Sequence, residues 1–525
     1  MTARTLRGAW IVATAAVAMV VLARSGISQP PAEVAAKPMV VADIHNASAS
    51  IAECKACHSG PDERGVRDFK NKFKSHEFIR LDESVIWEEN DPHGKAFAVL
   101  DPTANPIAKI MQKSLEFGNP EYRVQNDVRC LTCHATDMKP TQKTGKLATD
   151  FARNNDVGVG CLGCHGVGAE WQVAHYKSDP TGKNEIPWRS MTPKVKEEKG
   201  QRNLRDPLAK AEMCASCHVG NPDEGKVVTH EMYAAGHPPL PPFELASFIE
   251  GQPKHWNNPS KTPYLVALAK NKPTDAYDLF QYRSETIDNY TARHIAAGAM
   301  ASMQAEMKLL HADASERTKN PGHMLDFARF DCYACHHDLK IPSDRQERGY
   351  EGAPGRPPLK AWVSALPAVI AANAGQGTAF DEKWGAVKKA SLAKPFGDTA
   401  EVLKASSEMI AWYKPNGKEF MYSTEATTAL RGEIEKAIAD KKWRGDTEAI
   451  MHLTWAYRSL RSSTKDEAKL DPLGVFLPQN VRELSKEQMD KKVPVTAGEV
   501  LADRQKKFAA FDWTKFQEEF GKLTK

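Results

Sequence analysis

No cysteine in this 525-residue chain stands outside a repeated five-residue pattern, so none is left for a disulfide framework. No basic run interleaved with aromatics is present, and the formal charge is only +4, which excludes nucleic acid as an expected partner. From His45 to Lys340 alternating β-branched segments are scarce, which argues against a sheet over that stretch. Apolar content of 41% and charged content of 26% are ordinary for a soluble globular protein, and the length predicts two or three domains.

The N-terminus reads as a targeting segment. Arg4 and Arg7 precede an uncharged apolar run from Ala9 to Ala23, and small residues around Ser25–Ser28 follow. Residues 1–28 are read as a secretory signal, with an uncleaved signal anchor as the alternative; the apolar run is short for a membrane span. Cleavage after Ser28 would remove Arg4, Arg7 and Arg24 and bring +4 to +1. Residues 29–45, rich in Pro and Ala, read as a linker. The destination is export to the periplasm, with inner-membrane anchoring if the segment stays.

What is present is five copies of Cys-x-x-Cys-His. They are Cys54/Cys57/His58, Cys130/Cys133/His134, Cys161/Cys164/His165, Cys214/Cys217/His218 and Cys332/Cys335/His336, and they use all ten cysteines. Disulfides would not require a histidine after every pair, and structural zinc needs four ligands per ion. Two thiols that add to porphyrin vinyl groups, beside a histidine that binds iron, are the attachment signature of c-type haem. The pattern predicts five covalently bound haem c groups. The second and third motifs start only 31 residues apart, so their haems must be neighbours.

The expected fold is mainly α. A multihaem domain of short helices and long loops covers residues 46–345, residues 346–359 form a Gly/Pro-rich linker, and residues 360–525 form a helical C-terminal bundle. Asp91–Leu100 reads as a helix start, Tyr264–Asn271 as a short apolar piece, and Tyr290–His311 as a long Ala/Met-rich helix. In the bundle, Asp398 and Asp446 are read as helix starts, Leu430/Ile434/Ile438 as one buried stripe, and Ala497–Phe508 and Trp513–Phe520 as final helices.

Each motif supplies one axial histidine, which leaves five axial positions and twelve further histidines of the 17. Four are favoured as iron ligands. His93 opens a small-residue helix with Trp87 one and a half turns earlier; His175 follows the third motif closely; His237 sits in the rigid Gly236-His-Pro238 turn; His294 projects from the long helix among alanines. His45, His76, His230, His255, His311 and His323 are read as ordinary core or surface residues. His337 is read as a haem-edge partner and His452 as part of the bundle. The 16 methionines show no arrangement around the motifs, so methionine ligation is not expected.

The order of these features resembles the tetrahaem cytochrome c-554 family of nitrification electron transfer. The shared run is Trp87, His93-Gly-Lys-Ala-Phe97, Val128-Arg-Cys130-Leu-Thr-Cys133-His134, Gly158-Val-Gly-Cys161-Leu-Gly-Cys164-His165-Gly-Val-Gly168, His175 and Glu212-Met-Cys214-Ala-Ser-Cys217-His218. The resemblance covers about residues 50–220, with a weaker extension to His294. It implies a crossed ligand set: His175 caps the iron at His58, His93 the iron at His165, and His294 the iron at His218. It also implies a five-coordinate iron at His134, able to bind small ligands such as nitric oxide. The fifth motif, the His237 turn and the C-terminal bundle depart from that family. His237 is thus a candidate for either the fifth iron or the second.

Two functions follow. The first is electron transfer by hopping between mostly bis-histidine haems, with a redox protein as partner, either another cytochrome or a membrane quinol-linked complex. The alternative is reduction or oxidation of a small nitrogen or sulfur compound at an open iron, for which that of His134 is the candidate. No motif histidine is replaced by lysine, and no acid/base set is recognisable, so the carrier reading is preferred.

Overall fold

Side-chain oxygens start most of the helices, as the sequence pattern requires. Asn105 accepts from the Ile107 amide and Asp206 from the Leu208 amide, each with proline at the first helical position. Asp127 and Asp331 do the same directly before the second and fifth motifs. These caps fix where the turns of the second and fifth motifs begin. The computed structural model describes residues 54–60, 80–117, 119–135, 158–166, 169–177, 188, 191–256, 287–337, 339–343, 346, 355–417, 426–440, 443, 446–462 and 513–523. The signal segment 1–28, the linker 29–45, His45, His76, Tyr264–Asn271 and Ala497–Phe508 lie outside these residues.

In chain order the helices are α1 (Glu83–Asn90), α2 (Pro106–Leu115), α3 (Val128–His134), α4 (Cys161–His165), α5 (Ala169–Lys177), α6 (Pro193–Glu198), α7 (Pro207–His218), α8 (His230–Ala234), α9 (Leu245–Gly251) and α10 (Ile287–Lys319). Beyond residue 355 come α11 (Trp362–Asn373), α12 (Gly377–Leu392), α13 (Thr399–Asn416), α14 (Ala426–Ala439), α15 (Thr447–Ser462) and α16 (Trp513–Leu523). The protein is mainly helical, and the described residues contain only isolated β-bridges, at Asn221–Lys226 and Phe330–Leu359. The expected helix at Asp91 is instead two short 3-10 turns, Pro92–Lys95 and Ala98–Leu100. Asp91 caps the first of them, and Gly94 lies so close to Trp87 that a side chain there would collide with its backbone.

The long helix α10 is about 50 Å long at 1.5 Å per residue and is the axis of the packing. Its small residues, Ala292, Ala296, Ala297, Gly298, Ala299 and Ala301, permit close approach; a Cβ at Gly298 would stand 2.6 Å from Leu245 of α9. One apolar core joins Ala211 and Ala215 of α7, Phe243 and Leu245, helix α10, and helices α11 to α16. It joins residues on both sides of 346–359. Buried polar links cross the same boundary: His452 of α15 lies between the carbonyls of Trp362 (3.2 Å) and Phe243 (3.1 Å). Glu306 of α10 receives Arg329 at 3.0 Å and faces Lys360 at 3.7 Å, all three buried.

The haem-motif segments use little of this core. Motifs two and three have only small clusters beside them, Phe97/Leu100/Leu131 and Leu162/Trp171. That fits a region in which porphyrins supply much of the apolar bulk.

Candidate haem centres

All ten thiols are free, none paired in a disulfide. Residues 54–58 and helices α3, α4 and the end of α7 each hold a motif in about one helical turn, and the fifth motif begins in a 3-10 turn, Cys332–Ala334. A single turn brings the two cysteines and the histidine to one side of the backbone.

The ten cysteines are equivalent in sequence but not in the fold. Eight of them are half-buried, whereas Cys57 and Cys335, the second cysteines of the first and fifth motifs, are exposed. In the first motif Cys54 is half-buried beside Cys161, whereas Cys57 is exposed. In the fifth, the 3-10 turn ends at Ala334, so Cys335 falls past the turn, beyond the buried Tyr333 and Ala334. Exposure does not prevent a thiol from adding to a vinyl group at a solvent-facing porphyrin edge, so both remain chemically competent for attachment.

The ring nitrogens show which atom is left for a metal. Among the motif histidines, His134 Nδ1 donates to the Ala96 carbonyl at 2.8 Å and His58 Nδ1 to the Glu83 carboxylate at 2.9 Å. Among the others, His93 Nδ1 donates to Asp91 (2.9 Å), His175 to the Gln172 carbonyl (2.6 Å), His237 to the Pro238 carbonyl (2.8 Å) and His294 to the Tyr290 carbonyl (2.7 Å). A carbonyl or carboxylate partner fixes the proton on Nδ1, so Nε2 keeps its lone pair. This is the outer-shell arrangement of metal-binding histidines. Burial pushes His165 and His237 down to about 4 and His294 to about 3, which keeps these rings neutral. Glu83 raises His58 instead.

Ring positions provide the test of fit. Two imidazoles bonded to one metal at about 2 Å, with about 1.1 Å from nitrogen to ring centre, have centroids about 6.2 Å apart. Four pairs of rings stand at that separation, each joining one motif histidine to one from elsewhere. They are His218 with His93 (6.1 Å), His134 with His237 (6.5 Å), His165 with His255 (6.5 Å) and His336 with His230 (6.3 Å). The donor set and its spacing fit haem iron.

The geometry differs from the crossed set implied by the resemblance. His93 faces His218 rather than His165, and a ring stands opposite His134. His294 packs on Tyr290 and its Nε2 lies 3.2 Å from Lys210 Nζ, not against a motif ring. His175 stacks beside the buried Trp171, at 5.4 Å, on α5. Sequence reasoning does not single out His230 and His255. The only local signals are the Thr229 cap before His230 and the Pro253-Lys-His255-Trp256 turn, and neither is specific. His311 lies near Ser406 Oγ, and His452 uses both ring nitrogens within the core.

The motifs also touch one another out of sequence order. Cys54 lies beside Cys161, and Cys133 beside Cys217. Cys133 is the main reason that the Cys217 thiol is pulled down, and burial pushes the Cys164 thiol up to about 11 with Cys217 nearby. The first motif thus neighbours the third, the third the fourth, and the fourth the second.

Residues 53–166, which contain the first three motifs, match the protein-family model for cytochrome c554 and c-prime. Over this stretch the chain is similar to the c-type cytochromes, and that likeness implies covalently bound haem c and electron transfer. It stops before Cys214 and Cys332. No curated protein and no solved structure matches this chain. No helix among the described residues is long and apolar enough to cross a membrane.

Proposed function

We propose that this c554-type cytochrome is an exported, periplasmic pentahaem electron carrier whose irons are bis-histidine ligated. Cys54/Cys57, Cys130/Cys133, Cys161/Cys164, Cys214/Cys217 and Cys332/Cys335 would hold five haems, with the exposed Cys57 and Cys335 at the solvent-facing edges of the first and fifth. His93, His255, His237 and His230 would cap the irons at His218, His165, His134 and His336. The observation that carries this reading is the set of four mixed ring pairs at 6.1–6.5 Å. His175 is the remaining candidate for the iron at His58, as the family resemblance implies, and its Nδ1 is held by the Gln172 carbonyl.

Bound haem c supplies one-electron exchange between ferric and ferrous iron. The chain's part is to hold the rings. Asp91, itself buried, carries negative charge onto His93. The ring of His237 opposite His134 supports a carrier over a reductase, because a reductase needs an open face. Partners are taken to be another cytochrome or a membrane quinol-linked complex. Mass measurement after denaturation tests the count of five. Electron paramagnetic resonance of the oxidised protein, with and without nitric oxide, tests ligation. Low-spin signals that ignore nitric oxide are expected, and a high-spin ferric signal that responds to it would overturn the closed assignment at His134.

A further inference from the structure

Two of the four facing histidines come from one short segment. His230 opens helix α8 and His237 ends the turn that closes it, seven residues later. His230 faces His336 of the fifth motif at 6.3 Å, and His237 faces His134 of the second at 6.5 Å.

The segment between them is held at every point. Thr229 Oγ1 accepts from the Met232 amide, and the Thr229 carbonyl accepts from Tyr233. The Ala235 amide donates to Glu231, Gly236 to Tyr233, and His237 to Met232. The last bonds close the helix in the manner of a left-handed C-terminal cap, for which Gly236 at φ +118 is suited. At the start, the His230 amide donates to Asp326 Oδ1 at 2.9 Å, from the stretch that leads into the fifth motif. Met232, Tyr233, Ala235 and Gly236 are buried, and the Tyr233 ring lies 6.1 Å from that of His237. A segment bonded in this way cannot move one imidazole without moving the other.

We propose that Thr229–His237 is a single rigid ligand bridge that caps the second and the fifth irons together. It would place the fifth haem next to the end of the spatial series formed by motifs one, three, four and two. This rests on the bis-histidine reading above, and the tests separate the two.

His230→Ala and His237→Ala test the ligation: each should turn one haem, and a different one, high-spin. If neither does, the ligand reading fails. The bridge is tested by changing helical register, with one alanine inserted after Met232 or with Ala234 deleted. One residue rotates the helix by about 100°, so a rigid bridge cannot keep both rings in place. At least one of the second and fifth irons should become high-spin, while the other three stay low-spin. Both irons remaining low-spin in variants with five attached haems would overturn the bridge and leave the ligand reading standing. Hydrogen exchange on the unaltered holoprotein is the second measurement. Strong protection of the amides from Met232 to His237 is expected, and exchange at unstructured-chain rates would overturn the rigid bridge.

Discussion

His237→Ala has a consequence that can be worked out from the geometry. The ring is held by its Nδ1 bond to Pro238 and stands 6.5 Å, centre to centre, from His134. Truncation to a methyl group removes one axial nitrogen from one of five irons, so about one fifth of the haem should pass from low to high spin. It leaves a space the size of the lost imidazole, lined by Tyr233 and His134. Added imidazole should fill that space and restore the low-spin spectrum, and nitric oxide should bind there when imidazole is absent. The assay is quantitative electron paramagnetic resonance of the oxidised protein, with mass measurement to show that all haems remain attached. The iron at His336 should be untouched, because His230 and its Asp326 tether are unchanged. An unchanged low-spin spectrum would refute the assignment of His237. A high-spin fraction already present at one fifth in the unaltered protein would refute it equally.

Other expectations follow from named contacts. Asp91→Asn removes a negative charge from the partner of His93 Nδ1, so one haem should rise in midpoint potential by about 40 mV for each kcal/mol of lost charge-assisted bonding, read by spectroelectrochemical titration. Gly158→Ala would drive a Cβ into the His93 carbonyl and to 2.6 Å from the Ala96 amide. That turn carries both His93 and the carbonyl that holds His134, so stability should fall by about 1–3 kcal/mol and two haem signals should shift. Glu306→Gln leaves Arg329 and Lys360 buried without their carboxylate and should cost about 3–5 kcal/mol in chemical denaturation. Burial holds the Asp313 carboxyl up at about 6, against about 3.9 in an unfolded chain. The folded state then binds that proton more tightly, so its contribution is fully present below about pH 4 and is lost as pH rises to about 6. Asp313→Asn should therefore stabilise the protein by about 1–2 kcal/mol at pH 7 and by little at pH 4; equal effects at both would refute the assignment.

Much of this protein is written locally. Five pentads of one pattern mark the proposed attachment residues, because thiol addition and a first iron bond would involve groups within one helical turn. How far each thiol is enclosed is not local: Cys57 and Cys335 have the same neighbours in sequence pattern as the other second cysteines, yet only these two are exposed. Helix starts at Asp398 and Asp446 were legible because a cap is satisfied by an amide three residues away. The long helix at Tyr290 was legible too, although it extends in both directions, to Ile287 and Lys319, once packing adds to propensity. The expected helix at Asp91 became 3-10 turns because Gly94 and Gly158 bring other backbone too close for a regular helix surface to form there.

Which histidine faces which is a different kind of fact. His93 and His218 are 125 residues apart, His134 and His237 103, His165 and His255 90, and His230 and His336 106. No spacing rule links such pairs, because the chain between them only has to be long enough to return. Twelve non-motif histidines were available, and composition could not choose among them. The choice is made where α7 meets α10, where Gly158 backs the His93 turn, and where Asp326 and Gly236 hold the two ends of α8. The sequence alone determined the five Cys-x-x-Cys-His motifs, the likeness to c-type cytochromes and the helical fold class. Tertiary packing decided which histidine faces which, because that depends on long-range contacts that only the folded chain makes.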